Sequence, residues 1–146
     1  MFLSRETQYT IQAMIYIGLY GKKDVPLHSS EIAEKLQLPH QFMLKGLMAL
    51  VRAGILNSQR GKGGGFCLAR PANEIALYDI ATATGETLKF TERCVLGYPE
   101  CSHNVPCPFH HQIRGMVDGF LKGLKTTTLD KLTDDPEKIE AIIRRL

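Results

Sequence analysis

The sequence predicts a mainly α chain: a winged helix-turn-helix with a two-stranded wing, followed by a long helix suited to dimerisation. Three observations predict it. Two short amphipathic segments, 29–36 and 39–53, are joined by a tight turn. Gly61-Lys62-Gly63-Gly64-Gly65 separates two short extended runs and can supply only a hairpin tip. Phe109, Ile113, Met116, Val117, Phe120, Leu121 and Leu124 then recur at helical spacing as a broad apolar stripe. The 146 residues divide into a winged helix-turn-helix over 1–85, a connector and cysteine loop over 86–107, and a dimerisation helix with a helical tail over 108–146.

Each element has local signals. Ser4 can cap a first helix, with Glu6 near its positive end. Ile11, Met14, Ile15, Gly18 and Leu19 carry the helical period to about Tyr20. Gly21 to Pro26 reads as a loop. Ser29 suits the N-cap of a second helix that buries Ile32, Ala33 and Leu36. Pro39 suits the first position of a third helix, whose buried stripe is Phe42, Met43, Leu47, Leu50 and Val51 and whose end is Gly54. Ile55–Ser58 and Phe66–Ala69 form the wing strands, with Cys67 as a small core residue. Leu77–Thr84 makes a short helix closed by Gly85, and 86–92 is a connector without periodicity. Pro108 opens the long helix. Thr128 caps a further short turn. Asp135 and Pro136 start a last helix that docks through Ile139, Ile142, Ile143 and Leu146.

Charge is distributed unevenly. The formal net charge is only +3, and 44% of residues are hydrophobic. From Lys35 to Asn73, however, there is no Asp or Glu, while Lys35, Lys45, Arg52, Arg60, Lys62 and Arg70 all fall inside. An acid-free basic segment of this kind is the footprint of phosphate contact. The third helix presents His40, Gln41, Lys45, Met48 and Arg52 opposite its apolar stripe, and the wing tip presents Arg60, Lys62 and Gly63. With Ser29 at the start of the second helix, these form the candidate contacts to double-stranded DNA: the helix to base edges in the major groove, the tip to phosphates or the minor groove. A nucleotide-phosphate loop is disfavoured, because no Gly-Lys-Ser/Thr follows and the loop opens into a strand. With no nucleotide or flavin fingerprint present, an enzyme is not expected. No apolar run is long enough to span a membrane and no export signal is read, so the expected location is the cytoplasm.

Three of the four cysteines, Cys94, Cys101 and Cys107, fall within a fourteen-residue window broken by Gly97, Pro99 and Pro106. Such a loop cannot be a regular helix or strand. Three thiolates from one loop, with His110 three residues past the last of them, suit a soft metal centre. The competing readings are a structural zinc site, a reactive disulfide or thiol redox without a metal, and three unrelated buried cysteines; with zinc, the chain could also be a metal-stabilised protein-interaction module.

Leu3-Ser4-Arg5 with Tyr9, Ser30-Glu31-Ile32-Ala33, Pro39 with Phe42 and Leu47, and Ala53-Gly54-Ile55-Leu56 together form a familiar pattern. It continues through Ser58-Gln59-Arg60-Gly61-Lys62-Gly63-Gly64-Gly65-Phe66 to the three cysteines. In these stretches, from residue 1 to about 132, the chain resembles the IscR/NsrR-type winged-helix regulators that carry an iron–sulfur cluster. The resemblance implies a homodimer on a palindromic operator, with the cluster controlling which sites are occupied; the surplus apolar face of the long helix, Ile113, Met116, Val117, Phe120, Leu121 and Leu124, is the surface expected to pair the two copies. The resemblance also implies Cys94, Cys101 and Cys107 as cluster ligands. The fourth ligand varies among such proteins. Some use a histidine three residues past the last cysteine, here His110. Others use a carboxylate from the partner's first helix at position 8, where this chain has Gln8. That favours His110, with His103, His111 and Glu6 as alternatives, and a histidine ligand favours [2Fe–2S] over [4Fe–4S].

Overall fold

The computed structural model describes residues 2–88 and 93–145. Leu146 and the connector residues 89–92 lie outside the described residues. The described chain runs α1 (Arg5–Tyr20), α2 (Ser29–Leu36), α3 (His40–Arg52), β1 (Leu56–Gln59), β2 (Gly65–Leu68), a 3₁₀ turn (Ala72–Glu74) and α4 (Leu77–Ala83). It ends with α5 (His110–Thr126), α6 (Leu129–Leu132) and α7 (Pro136–Ile143). This is the mainly helical winged helix-turn-helix that the patterning predicts, and α5 is its longest described helix at 17 residues.

Helix α1 begins where Ser4 Oγ accepts the Thr7 N–H at 3.3 Å, satisfying one of the orphan donors of the first turn. One face carries Ala13, Met14 and Ile17 into a core shared with Ile32 and Leu36 of α2 and with Met43, Leu47 and Leu50 of α3. Each of the larger buried side chains contributes on the order of 1.5–3 kcal/mol. Helix α3 crosses α1 at Gly46, which is buried. A Cβ there would lie 1.8 Å from Thr10 Oγ1, so only glycine lets the two backbones approach this closely. Ile55 and Leu56 lead from the core into the wing, an antiparallel pair in the register Leu56↔Leu68 to Gln59↔Gly65. Leu27 adds a third rung by exchanging both backbone bonds with Phe66, at 2.9 and 2.8 Å. Gly65 permits this contact: its φ is 141°, and a Cβ would meet the Leu27 carbonyl oxygen.

The far end of α5 is tied back to the body. The Leu77 N–H donates to Thr127 O at 2.9 Å, and the Leu129 N–H to Ile75 O at 2.8 Å. Leu129 enters the same core as α1. At the other end of the body, Glu86 Oε1 accepts the Ser4 N–H at 2.6 Å, and the Thr7 and Thr84 hydroxyls meet at 2.7 Å. The start of α1 is thereby joined to the segment leading to the cysteine loop. Among the described residues, no helix is long and apolar enough to cross a membrane.

Several local expectations shift. His28, not Ser29, caps α2: its Nδ1 accepts the Ser30 N–H, while Ser29 is already helical and buried. Pro39 is the N-cap of α3 rather than its first residue. Both strands are offset by one residue from the expected runs, because Ile55 still belongs to the helix-closing turn, its N–H bonded to Leu50 O. Phe42 is 58% exposed, not part of the buried stripe. Gly46 takes its place, because the helix-to-helix approach is closest there. Cys67 is half-buried on the wing face opposite Phe66 rather than in the core. Pro108 precedes α5 by two residues, with Phe109 as N-cap. Thr128 bonds the Asp130 side chain and caps no backbone group. In α7, Asp135 caps and Pro136 opens the helix as expected, and Ile143 packs on the core, but Ile142 is exposed.

Candidate metal centre and nucleic-acid interface

The loop before α5 is built of turns. The Gly97 N–H closes one on Cys94 O at 2.9 Å, and the His110 N–H closes another on Cys107 O at 3.0 Å. The second turn makes His110 the first residue of α5, with its imidazole 2% exposed. The three cysteines and the histidine predicted to act together do converge. Cys94 Sγ lies 3.5 Å from Cys107 Sγ, and Cys101 Sγ lies 3.3 Å from His110 Nδ1. His110 Nε2 faces His103 Nδ1 at 3.1 Å, and the His111 ring stands edge-on to it. The four donors line one cavity of about 440 Å³ with Tyr98, Val105 and the loop prolines. They come together two by two: among the described residues, no group of three His, Cys, Asp or Glu side chains is arranged to hold a single metal ion.

The protonation states differ around this cavity. The hydrogen bond from the Leu96 N–H holds the Cys94 thiol below its ordinary range, against the opposing effect of burial. Burial pushes the Cys107 thiol up. Burial, reinforced by His103, His111 and Arg114, holds His110 below the usual imidazole range, so at neutral pH it offers a lone pair rather than a charge. Two of the alternative fourth donors, His103 and His111, stand beside His110. Glu6 does not: its Oε2 accepts from Lys45 Nζ at 2.7 Å. Gln8 is turned to the Leu3 carbonyl.

The second surface is α3 with the wing. Gln41, Lys45, Met48 and Arg52 are exposed along one side of α3. His40 stands at its N-terminal end, held by a 2.9 Å bond between its Nε2 and Ser29 Oγ. Ser29 is buried, so among the candidate contacts it orients His40. Arg60, Lys62 and Gly63 are exposed at the wing tip, and a groove lined by Ser29, Met48, Ser58, Gln59 and Arg60 separates tip from helix. The expected dimerisation stripe divides. Val117 and Leu124 are buried against their own chain, while Ile113, Phe120 and Leu121 are half-buried, with Phe120 stacked 4.8 Å from Phe2. Met116 is 58% exposed and borders a cleft shared with Cys94, Val95 and Ile113. The sequence reading missed two participants. His28 lies outside the usual capping residue types, and the Glu6–Lys45 pair spans 39 positions with no local signal.

The family described as Rrf2, iron-dependent transcriptional regulator, matches residues 3–135. The chain is 28% identical over 145 residues to the HTH-type transcriptional regulator IscR of Pectobacterium carotovorum, covering 99% of this chain and 87% of that one. It is 27% identical over 143 residues to the HTH-type transcriptional regulator NsrR of Oceanobacillus iheyensis, covering 98% and 97%. Among solved structures, that of CymR, the global cysteine regulator of B. subtilis, matches with a TM-score of 0.75 at 22% identity, over 92% of this chain and 97% of that one.

Proposed function

The chain belongs to the Rrf2 family of transcriptional regulators, and from that premise we propose that it is a homodimeric DNA-binding regulator under iron–sulfur control. Cys94, Cys101, Cys107 and His110 hold the cluster, [2Fe–2S] rather than [4Fe–4S], and its state governs binding to a palindromic operator. In this reading the protein works in the cytoplasm and comprises a DNA-binding unit (1–85), a cluster loop (86–107) and a dimerisation unit (108–146). The observation that carries it is the convergence of three thiols and a buried imidazole in one cavity, paired at 3.5 and 3.3 Å. Soft sulfur donors with one imidazole suit iron–sulfur ligation, and donors grouped two by two suit a group with more than one metal ion.

When bound, such a cluster supplies reversible one-electron chemistry and a covalent cross-link between its ligands. The chain's own residues do the rest. The Leu96 N–H favours the Cys94 thiolate, and burial disfavours protonation of the His110 imidazole. The turns at 94–97 and 107–110 fix the spacing of the donors. His110 opens α5 and Cys94 borders the Met116 cleft, so a change in loop order is felt at the helix that pairs the two copies. Pairing sets the separation of the two α3 helices. Operator half-sites lie about 34 Å apart, so a shift of a few ångströms alters fit. Gln41, Lys45 and Arg52, with His40 oriented by Ser29, face base edges, while Arg60, Lys62 and the Gly63 backbone reach phosphates or the minor groove.

Anaerobic purification tests the reading. A brown protein with visible absorption, and operator affinity at fixed salt that changes on cluster removal and in Cys101→Ala, is the expected result. A colourless protein would favour zinc or thiol chemistry. Identical affinity in all three forms would remove the control mechanism.

A further inference from the structure

Lys45 stands at the middle of the base-facing side of α3, yet it is not a free cation. Its Nζ meets Glu6 Oε2 at 2.7 Å; the lysine side chain is 70% exposed and the glutamate 20%. With its lysine end open to water the pair gains only modest Coulomb energy, and holding a lysine in one geometry costs side-chain entropy. Stability is therefore a poor account of why the pair is there. Its position offers a better one. Glu6 lies in the first turn of α1, where its backbone carbonyl also accepts the Thr10 hydroxyl that packs on Gly46. Glu6 thus sits beside the crossing of α1 and α3 at Gly46, with its carboxylate on the α1 side of Lys45.

We infer that Glu6 is a positioning residue for sequence discrimination: it holds the Lys45 ammonium toward base edges and withholds it from phosphates. This rests on the DNA-binding reading above. Phosphate contact is the sequence-independent part of affinity, and each cation released to a phosphate strengthens binding to any duplex. Neutralising one cation on the recognition face lowers that general affinity. A guanine O6/N7 edge can still receive the ammonium, because Lys45 retains donor protons while bonded to Glu6. Non-operator binding is thus reduced more than operator binding. No Asp or Glu follows Lys35 until Glu74, so the counter-charge comes from α1 rather than from the segment that carries the interface.

The test uses the full-length dimer and two 30-bp duplexes, an operator selected by the protein from a random library and its scrambled counterpart. Dissociation constants are measured across a KCl series for wild type, Glu6→Gln, Lys45→Gln and the double variant. Releasing one lysine to one phosphate steepens the log–log salt slope by about 0.9, which is about eightfold tighter binding at 0.1 M salt relative to 1 M. Glu6→Gln should show that change on the scrambled duplex and a smaller gain on the operator. In the Lys45→Gln background it should show neither. An unchanged slope in Glu6→Gln, or the same shift without Lys45, overturns the assignment. Absence of salt-dependent binding in wild type would instead overturn the DNA interface, and this assignment with it.

Discussion

Replacing Gly46 with alanine tests how α3 is seated. The added Cβ would lie 1.8 Å from Thr10 Oγ1, 3.0 Å from its Cβ and 3.2 Å from its Cγ2. Thr10 is fully buried, and its hydroxyl donates to Glu6 O at 2.7 Å, so a simple rotation forfeits that bond and still leaves a crowded branch point. Overpacking of this kind costs about 1–3 kcal/mol, and the lost hydrogen bond about 1 kcal/mol. The gain in helix propensity from glycine to alanine returns roughly 1 kcal/mol. The net expectation is a loss of about 1–3 kcal/mol. At the sensitivity of a chain this size, roughly 2–4 °C per kcal/mol, the melting temperature should fall by about 2–12 °C. Urea denaturation followed by circular dichroism measures the free-energy loss and a thermal scan the melting temperature, for this variant together with Thr10→Ala and the double variant. Thr10→Ala alone should destabilise, yet in the Gly46→Ala background it should restore stability, a coupling that a double-mutant cycle isolates. A Gly46→Ala protein as stable as wild type, or no rescue by Thr10→Ala, would refute the close-approach account.

Arg60→Ala should weaken operator binding and flatten its salt slope by about 0.9 if the wing tip holds one phosphate; titration across a salt series reads both. Met116→Glu places a charge on the exposed apolar face of α5 and should give a monomer with unchanged helical content; sedimentation of a variant that stays dimeric would count against that face. Glu86 titrates under opposed influences: burial pushes its carboxyl up, but hydrogen bonds from Ser4 and Thr7 hold it below its ordinary value. A depressed carboxylate stabilises the fold above its unfolded pKa, and that contribution disappears as pH falls through the folded one. Wild type should therefore be more stable than Glu86→Gln near pH 7, and the difference should close on acidification below the usual carboxylate range; parallel melting-temperature curves would contradict this.

Legibility from the sequence followed the range of the interaction. Short-range signals served well: the Ser4 and Asp135 caps, the stop at Gly54, the hairpin tip and the α5 period all depend on neighbours a few residues away. The cysteine loop was legible for a related reason, since three donors between breakers can fold back on one another without help from the rest of the chain. What failed depends on tertiary contact. Phe42 fits a 3.6-residue period as well as Gly46 does, but the period cannot report that α1 crosses at Gly46 while Phe42, one turn earlier, stays exposed. Ser29 has the chemistry of a cap, yet the chain enters α2 one residue early because Leu27 is anchored to Phe66. Lys45 looked like a free basic group because its partner lies on another helix.

The backbone bonds from 75–77 to 127–129 give the molecule a mechanical character of its own. Helix α5 is a rod about 25 Å long by helical rise, with its C-terminal end fastened to the body and His110 at the opposite tip. A rod fastened at one end converts rotation into displacement in proportion to distance from the fastening. A tilt of about 5° would carry the His110 end about 2 Å, while Leu124 scarcely moves. About the fastened end, displacement grows with distance, so Met116, near mid-length, would travel through roughly half the arc of His110.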